Sequence, residues 1–489
     1  MMNTMLEDII KERLKKLSRL KEAGINPYPA SVKRTVSIGE AKGRFRALEK
    51  SKKKIFVVGR LLSWRDQGGV IFADIADESG KIQLVLKNNT LNNFSIFRKT
   101  LDRGDFLSAG GTLFKTQKGQ ESLDVKDLSL IVKSVRPLPG DWYGLEETEI
   151  RFRKRYLDII MNAETKELFK KKSVFWQSFR DFLLKEGFLE TETQVFETLP
   201  GGAEAEPFKT HHNALDTDFY LRISLELPLK KLLVAGYEKV FEIGRIFRNE
   251  GIDREHLQDY TQMEFYWAYH DYNDLMKLVE KMYKDVIKKT TGGLKTTFQG
   301  QKINWGKKWE KVEYVKVFEK FNKLNPVSAS RDELFKKAVS LGLQPEKNFG
   351  KGRLIDLIYK KTVRPTLIQP CFLVNPPVEV EPLAKRSEKN SALVERIQVV
   401  ACGTELGKGF SELNDPLDQR ARFEEQMKLR DAGDKEAQFL DEDFLEALEY
   451  GMPPAAGFGL SERLFAIIMD KPVRETVIFP LMRPNIDKK

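Results

Sequence analysis

The sequence predicts an α+β protein built in more than one domain, and three observations carry that expectation. Residues 55–135 break into short β-runs separated by Gly, Asn and Asp. Residues 240–269 read as two longer strands joined by a polar loop. Apolar residues at helical spacing fill stretches such as 5–23 and 271–290. A length of 489 residues suggests about two to four domains.

Composition excludes several classes of function. Hydrophobic residues at 41% and charged residues at 32% describe a soluble globular chain. The longest apolar runs, such as 464–469, are far too short to span a membrane, and no apolar stretch near the start suggests secretion. Two cysteines, Cys371 and Cys402, give neither a disulfide framework nor a zinc site and suit a reducing cytoplasm. The histidines form no HExxH pattern. A net charge of +11 fits a polyanionic partner such as RNA.

Residues 5–23 place Leu6, Ile9, Ile10, Leu14, Leu17 and Leu20 on one helical face. Lys11, Arg13, Lys15, Lys16, Arg19 and Lys21 then make the exposed side basic, which fits a solvated face or a contact with RNA backbone. Gly24 ends the helix and the prolines at 27 and 29 forbid its continuation. Five β-runs follow, with a helix near residues 94–102 after the third, the pattern of a small OB-type barrel. Such barrels stack single-stranded bases on aromatics over a basic groove. Pro137-Leu138-Pro139-Gly140 marks a linker. The expected domains are a basic helix and connector over 1–50, the barrel over 51–137, and a large domain over 138–489.

The large domain opens with a helix over 171–188 and an expected strand over 188–196. The adjacent Gly201 and Gly202 let the backbone approach a ligand closely. Glu226 stands at the start of an apolar helix, where stabilisation of the helix dipole is reason enough for a carboxylate. In the second strand of 240–269, Met263, Phe265, Trp267 and Tyr269 alternate with Gln262, Glu264, Tyr266 and Ala268. One face therefore packs into a core while the other presents an amide, a carboxylate and a phenol.

Glu242, Arg248 and Glu250 share a face on the first strand. The loop after it, with Asp253, Arg254, Glu255 and His256, is longer than an ordinary hairpin turn. The planar guanidinium fork suits phosphate and a facing carboxylate suits an ammonium group, so the stretch describes a nucleotide beside an amine. A surface hairpin with solvated charges fits the same residues. Further on, Glu405 and Glu412 are separated by an interval that opposes them on a regular strand, but Gly407 and Gly409 allow a bulge that brings both to one side. Residues 453–472 read as a strand, a glycine turn and a buried helix with Arg463 in its first turn.

Phe247-Arg248-Asn249-Glu250-Gly251, then His256, then Met263-Glu264-Phe265-Tyr266 resemble motif 2 of the class II aminoacyl-tRNA synthetases. From about Leu14 to Pro484 the chain is similar to the bacterial-type lysyl-tRNA synthetase family (subclass IIb). The resemblance implies an OB-fold anticodon-binding domain, then a class II antiparallel sheet flanked by helices, with a helical insertion at about 311–365. It implies a cytoplasmic homodimer that converts lysine and ATP to lysyl-adenylate and transfers lysine to the 3′ end of tRNA(Lys). Residues 171–196 look like motif 1, the family's dimer element.

Arg248 and Arg463 are implied as catalytic, and with Glu250, His256 and Tyr260 they are implied to bind ATP. Gly202, Glu226, Glu264, Tyr266, Phe410 and Glu412 are implied to bind lysine, and Glu405 to hold Mg²⁺. Phe72 and Gln83 fall where the family reads the anticodon, Gln120 stands, with Glu121 beside it, where the family's third reader is a Glu, and Arg60 is expected to contact the RNA backbone in the anticodon groove. The chain also departs from the pattern. Gln194 replaces a proline in motif 1, Gln398 stands where a second metal-binding Glu is common, and Lys408 replaces a common Asn. The Gly-x-Gly of motif 3 lies one residue closer to its arginine than is usual.

Two other readings use the same residues. A class II ligase for aspartate or asparagine would need a cationic side-chain pocket, against which Glu226, Glu264 and Glu412 argue. A paralogue that binds RNA or lysylates another acceptor would be expected to lose Arg248 or Arg463, or the OB domain, and all three are present.

Overall fold

The computed structural model describes residues 2–139, 147–251, 257–434 and 437–484. It divides into two compact units, Met1–Arg151 and Phe152–Lys489.

The first unit holds a helix, α1 (Met2–Glu22), and five strands: β1 (Ile55–Asp66), β2 (Val70–Ala76), β3 (Lys81–Lys87), β4 (Phe106–Lys115) and β5 (Glu121–Val132). They close into a barrel in the order β1-β2-β3-β5-β4, with α2 (Phe94–Thr100) between β3 and β4. Strict alternation points Ile71, Ala73 and Ile75 of β2 inward onto Leu84, Leu107 and Leu123.

The α1 expectation needs correcting. Arg13 is buried and donates to the carbonyls of Arg103, Ser134 and Arg136, and Lys16 bonds Asp102 at 2.7 Å. Leu14, expected inside, is exposed. Two of the cations read as a solvated or RNA-facing side are thus structural, because Asp102 and the carbonyls ending the barrel need donors. Next to them Lys133 is fully buried, 2.9 Å from Asp105 and 2.6 Å from Asp102.

The second unit is organised by an eight-stranded sheet. Its strands are β6 (Leu189–Glu190), β7 (Lys239–Phe247), β8 (Asp259–Ala268), β9 (Glu310–Glu313), β10 (Cys371–Val374), β11 (Arg396–Ala401), β12 (Thr404–Ser411) and β13 (Ala455–Ser461). They lie in the order β9-β10-β11-β12-β13-β8-β7-β6, antiparallel except for the two edge pairs β6–β7 and β9–β10. The α+β expectation, a barrel followed by a largely antiparallel sheet with flanking helices, therefore holds.

The period of two sorts the sheet into a packed face and a working face. Met263, Phe265, Val399, Phe458 and Leu460 pack against Phe175 and Phe179 of α3 (Ala163–Lys185). They also meet Val279, Tyr283 and Val286 of α5 (Tyr272–Thr291), whose label leaves α4 for the helix at Glu226–Val234. Edge-to-face rings, such as Phe175–Phe179 at 5.0 Å, add to the area buried there. Glu264, Tyr266, Gln398, Lys408 and Phe410 belong to the opposite parity. Helices α6 (Tyr314–Asn322), α7 (Arg331–Ser340) and α8 (Lys351–Thr362) cover the β10–β11 end through Tyr314, Tyr359, Leu373 and Val400.

Three local expectations fail. The strand over 188–196 is two short pieces, β6 and Phe196–Glu197, which pair with different sheets. Tyr269 lies beyond β8 in a left-handed conformation, exposed, so it takes no part in the alternation. Gly457 and Gly459 form no turn. They lie inside β13, and Arg463 opens a helix of only six residues, α9 (Arg463–Ile468).

Replacing Lys133 by Met leaves Asp105 buried without its cation. This should destabilise the barrel by about 3 kcal/mol. Faster amide hydrogen exchange in β4 and β5, with the second unit's sheet unchanged, is the expected signature.

Candidate active site

An open cleft and a buried acidic cluster adjoin on the working face. The cleft is lined by Arg248, Glu250, Leu257, Tyr260, Ser461, Glu462, Arg463 and Val473. Arg248 and Glu250 are not on the first strand as expected. β7 ends at Phe247, and both residues lie in the loop that follows it. That loop is pinned where it matters: Arg248 N–H donates to Gln258 C=O at 2.8 Å, and its guanidinium donates twice to Ile223 C=O at 3.2 Å. The guanidinium carbon lies 5.7 Å from the Tyr260 ring. Lys172 pairs with the buried Glu462 from α3, fixing the residue before Arg463. The implied ATP residues Arg248, Glu250, Tyr260 and Arg463 therefore come together, and His256 lies outside the described residues.

The acidic cluster lies beside the cleft. Cross-strand register places Glu264 opposite Gly459, and Tyr266 opposite Gly457, which in turn faces Phe410. A Cβ on Gly457 would collide with Glu412 Oε1 and the Tyr266 ring, and one on Gly459 would lie 3.2 Å from Glu264 Cγ. The glycines are the floor on which Glu412, Tyr266 and Glu264 pack. Gly202 borders it at φ +79°, where a Cβ would press on Glu226 and Ser224 at 3.0 Å. The expected bulge is present: the ladder slips between Val399 and Val400, pairing Gln398 with Lys408 but Val400 with Glu405. Leu406 is the extra residue, so Glu405 joins the face of Lys408, Phe410 and Glu412.

The pocket's carboxylates differ in how they are satisfied. Glu264 accepts from Ser224 Oγ at 2.9 Å, Leu225 N–H at 3.1 Å, Tyr266 Oη at 2.9 Å and the Gln262 amide. It orders the pocket and holds the Tyr266 hydroxyl. Glu412 is almost wholly buried, yet its Oε1 meets no hydrogen-bond donor among the described residues. Burial pushes its carboxyl well above the ordinary range, and neighbouring Glu226 adds to this against Lys230. Burial likewise raises Glu226 to about 7, opposed by Lys230 and assisted by Glu264. Tyr266 is raised well above its usual value by burial and then by the three carboxylates. An unpaired buried carboxylate among such neighbours is a receptor for a cation.

Glu405 behaves differently. Burial acts to raise its carboxyl, but Lys408, Arg463, Arg396 and Lys360 outweigh burial and hold it below the ordinary value. The Gln398 amide donates to it and accepts from Tyr359 Oη at 3.2 Å. Lys408 turns to Glu381 at 2.9 Å. No group of three or more His, Cys, Asp or Glu that could hold a metal occurs among the described residues. The donor set is one carboxylate and one amide, which fits a Mg²⁺ that keeps its waters and binds mainly through phosphates.

Two residues here escape the sequence reading. Lys230 lies fully buried between Glu226 and Glu412, and Ser224 links Glu264 to the start of α4. The i, i+4 spacing of Glu226 and Lys230 was the available signal for the first.

In the barrel, Phe72 lies on the outer face of β2, so it is not a core residue. Gln83 is on the adjacent strand and accepts from Ser122 Oγ at 3.0 Å, and Gln120 is exposed at the entry to β5. Arg60 stands apart. It donates to Gly104 C=O at 3.2 Å and stacks on Phe106 at 4.2 Å, a packed role that the backbone-contact expectation did not foresee.

Comparison with known proteins agrees with this geometry. The family described as tRNA synthetases class II (D, K and N) matches residues 147–483, and an OB-fold nucleic acid binding domain matches 55–138. A protein of Moorella thermoacetica named lysine–tRNA ligase is 43% identical over 98% of both chains. One of Roseiflexus castenholzii with the same name is 43% identical over 98% of this chain and 99% of its own. A third, from Fervidobacterium nodosum, is 39% identical over 99% and 96% respectively. With a matching fold, and a cleft and an acidic cluster on one sheet face, the chain belongs to the class II tRNA synthetases of the D, K and N group.

Proposed function

We propose that this protein is an ATP-dependent lysine–tRNA ligase. The observation that carries the reading is the buried Glu412, its Oε1 without a donor, beside Glu226, Glu264 and Tyr266 on a glycine floor. An aspartate or asparagine site would need a cation aimed at its ligand there, and the pocket's own cation is already engaged by two carboxylates.

Lysine's ε-ammonium would meet Glu412, with Phe410 and Tyr266 along its stem, and its α-ammonium would meet Glu226 near Gly202. Gly457 to Ser461 is four residues of one strand, about 13 Å. An amino acid anchored at its ammonium ends can therefore present its carboxylate to phosphates in the cleft. Adenine would lie on Tyr260 with Glu250 at its amino group, and Arg248 would neutralise charge developing on the α-phosphate during in-line attack. Arg463 would hold the β- and γ-phosphates. No side chain acts as nucleophile, so catalysis is positioning and charge compensation. Glu405, to which the Gln398 amide donates, would hold Mg²⁺, which supplies further charge neutralisation on the phosphates.

The barrel's half-buried, outward-facing Phe72 and Gln83 and its exposed Gln120 support an anticodon contact for tRNA(Lys). The family resemblance of 171–196 supports a homodimer working in the cytoplasm. No helix of the described residues is long and apolar enough to cross a membrane.

ATP–pyrophosphate exchange with each of the twenty amino acids tests the assignment. Exchange with lysine alone is expected, and exchange with aspartate or asparagine instead would overturn it. Glu412→Gln should raise the lysine KM roughly 10–100-fold with the ATP KM little changed. Arg248→Ala should instead lower kcat for adenylate formation by roughly 10²–10³. Gly457→Ala, whose methyl enters the pocket, should weaken lysine and leave ATP alone, as separate KM determinations would show.

A further inference from the structure

Lys230 has no task in the reaction just described, yet it occupies the most demanding position in the site. It is fully buried, 2.6 Å from Glu226 Oε1, paired with Glu412 Oε2, and 5.3 Å from the Phe410 ring. Phe444 covers it at 5.9 Å. Burying a lysine is costly unless its partners require it, and the leucines of α4 show that an apolar side chain packs readily on this helix.

The charges around it suggest what the requirement is. Glu226, Glu264 and Glu412 converge on Tyr266. Glu381 also acts on Glu226, but Lys408 at 2.9 Å and Arg396 at 3.5 Å already compensate it. Three buried carboxylates side by side ionise together only where cations compensate them. One internal ammonium reduces the surplus from three negative charges to two. L-Lysine carries two ammonium groups, and its carboxylate is directed away to the phosphate cleft.

We propose that Lys230 is a specificity-determining positioning residue: its ammonium bridges Glu226 and Glu412, fixes their separation, and leaves two of the three carboxylate charges for the ammonium groups of a bound ligand to balance. The pocket is thereby matched in charge to a diamino acid and mismatched to every monoamino acid. This rests on the reading of the site as lysine-activating and adds to it the residue that sets the charge. Burial raises Glu226 and Glu412 even with Lys230 present, so its removal leaves them to take up protons near neutral pH.

The test uses the full chain and its variants Lys230→Gln and Lys230→Met, with KM for lysine and ATP measured separately from pH 6 to pH 9.5. Both variants should raise the lysine KM on the order of tenfold or more near pH 7, leave the ATP KM unmoved, and recover as rising pH ionises the carboxyls. Lys230→Gln keeps donors for both carboxylates and removes only the charge. A parental lysine KM in Lys230→Gln at every pH would overturn the role of Lys230 while leaving the lysine reading intact. A deficit that is equal for lysine and ATP and flat with pH would do the same, since it marks a helix anchor. Should neither variant fold, the parent still decides by calorimetry of lysine binding near pH 8 in two buffers of different ionisation enthalpy. Release of about one proton per site is expected, as the ligand's ammonium groups ionise the raised carboxyl of Glu412, and net proton transfer close to zero would overturn the proposal. Absence of lysine-dependent exchange in the folded parent would instead overturn the lysine reading, and the proposal with it.

Discussion

Everything on the working face depends on holding several carboxyl groups out of water. Glu242 and Glu264 lie directly opposite each other on β7 and β8, both buried. Each is tolerated for its own reason. Glu242 pairs with Arg222 at 2.7 Å and accepts from Thr193, whereas Glu264 is satisfied by neutral donors. Glu226 and Glu412 share Lys230, and one Glu412 oxygen stays without a donor. The same sheet therefore carries a gradient from satisfied to unsatisfied acid, and the unsatisfied end is where a cationic ligand gains most.

Backbone design makes room for that chemistry. Gly457 and Gly459 leave space beneath Tyr266, Glu412 and Glu264, and the bulge at Leu406 turns Glu405 to the same side as Glu412. The aromatic and aliphatic side of the sheet gives the rigidity these placements need. Phe265, Tyr283 and Phe458 pack there at ring distances of about 6 Å, and Tyr283 Oη donates to Leu406 C=O at 2.7 Å. The packed face thus holds the bulge that orients the catalytic face.

Much of this was legible in the sequence, because period-two alternation in 259–268 and the Gly-flanked interval between Glu405 and Glu412 are local signals. The barrel was legible for the same reason. What stayed hidden was set by distant partners. Arg13 looks like a surface cation until Ser134 and Arg136 present their carbonyls. Gly457 and Gly459 look like a turn until the neighbouring strands show them as a pocket floor. Arg60 looks like a groove residue until Phe106 takes its guanidinium. Lys230 looks like an ordinary helix residue until Glu412, far along the chain, folds onto it.

The central claim is that the acidic pocket recognises an amino acid by its side-chain ammonium. Equilibrium binding of L-lysine and L-norleucine to the full chain measures this directly, since the two have the same four-carbon side-chain stem and norleucine lacks the ε-ammonium. A site that would leave Glu412 buried and unpaired should reject norleucine by roughly 10⁴-fold. Binding of the two within about tenfold of each other would mean that the stem, not the charge, is recognised, and would contradict the account.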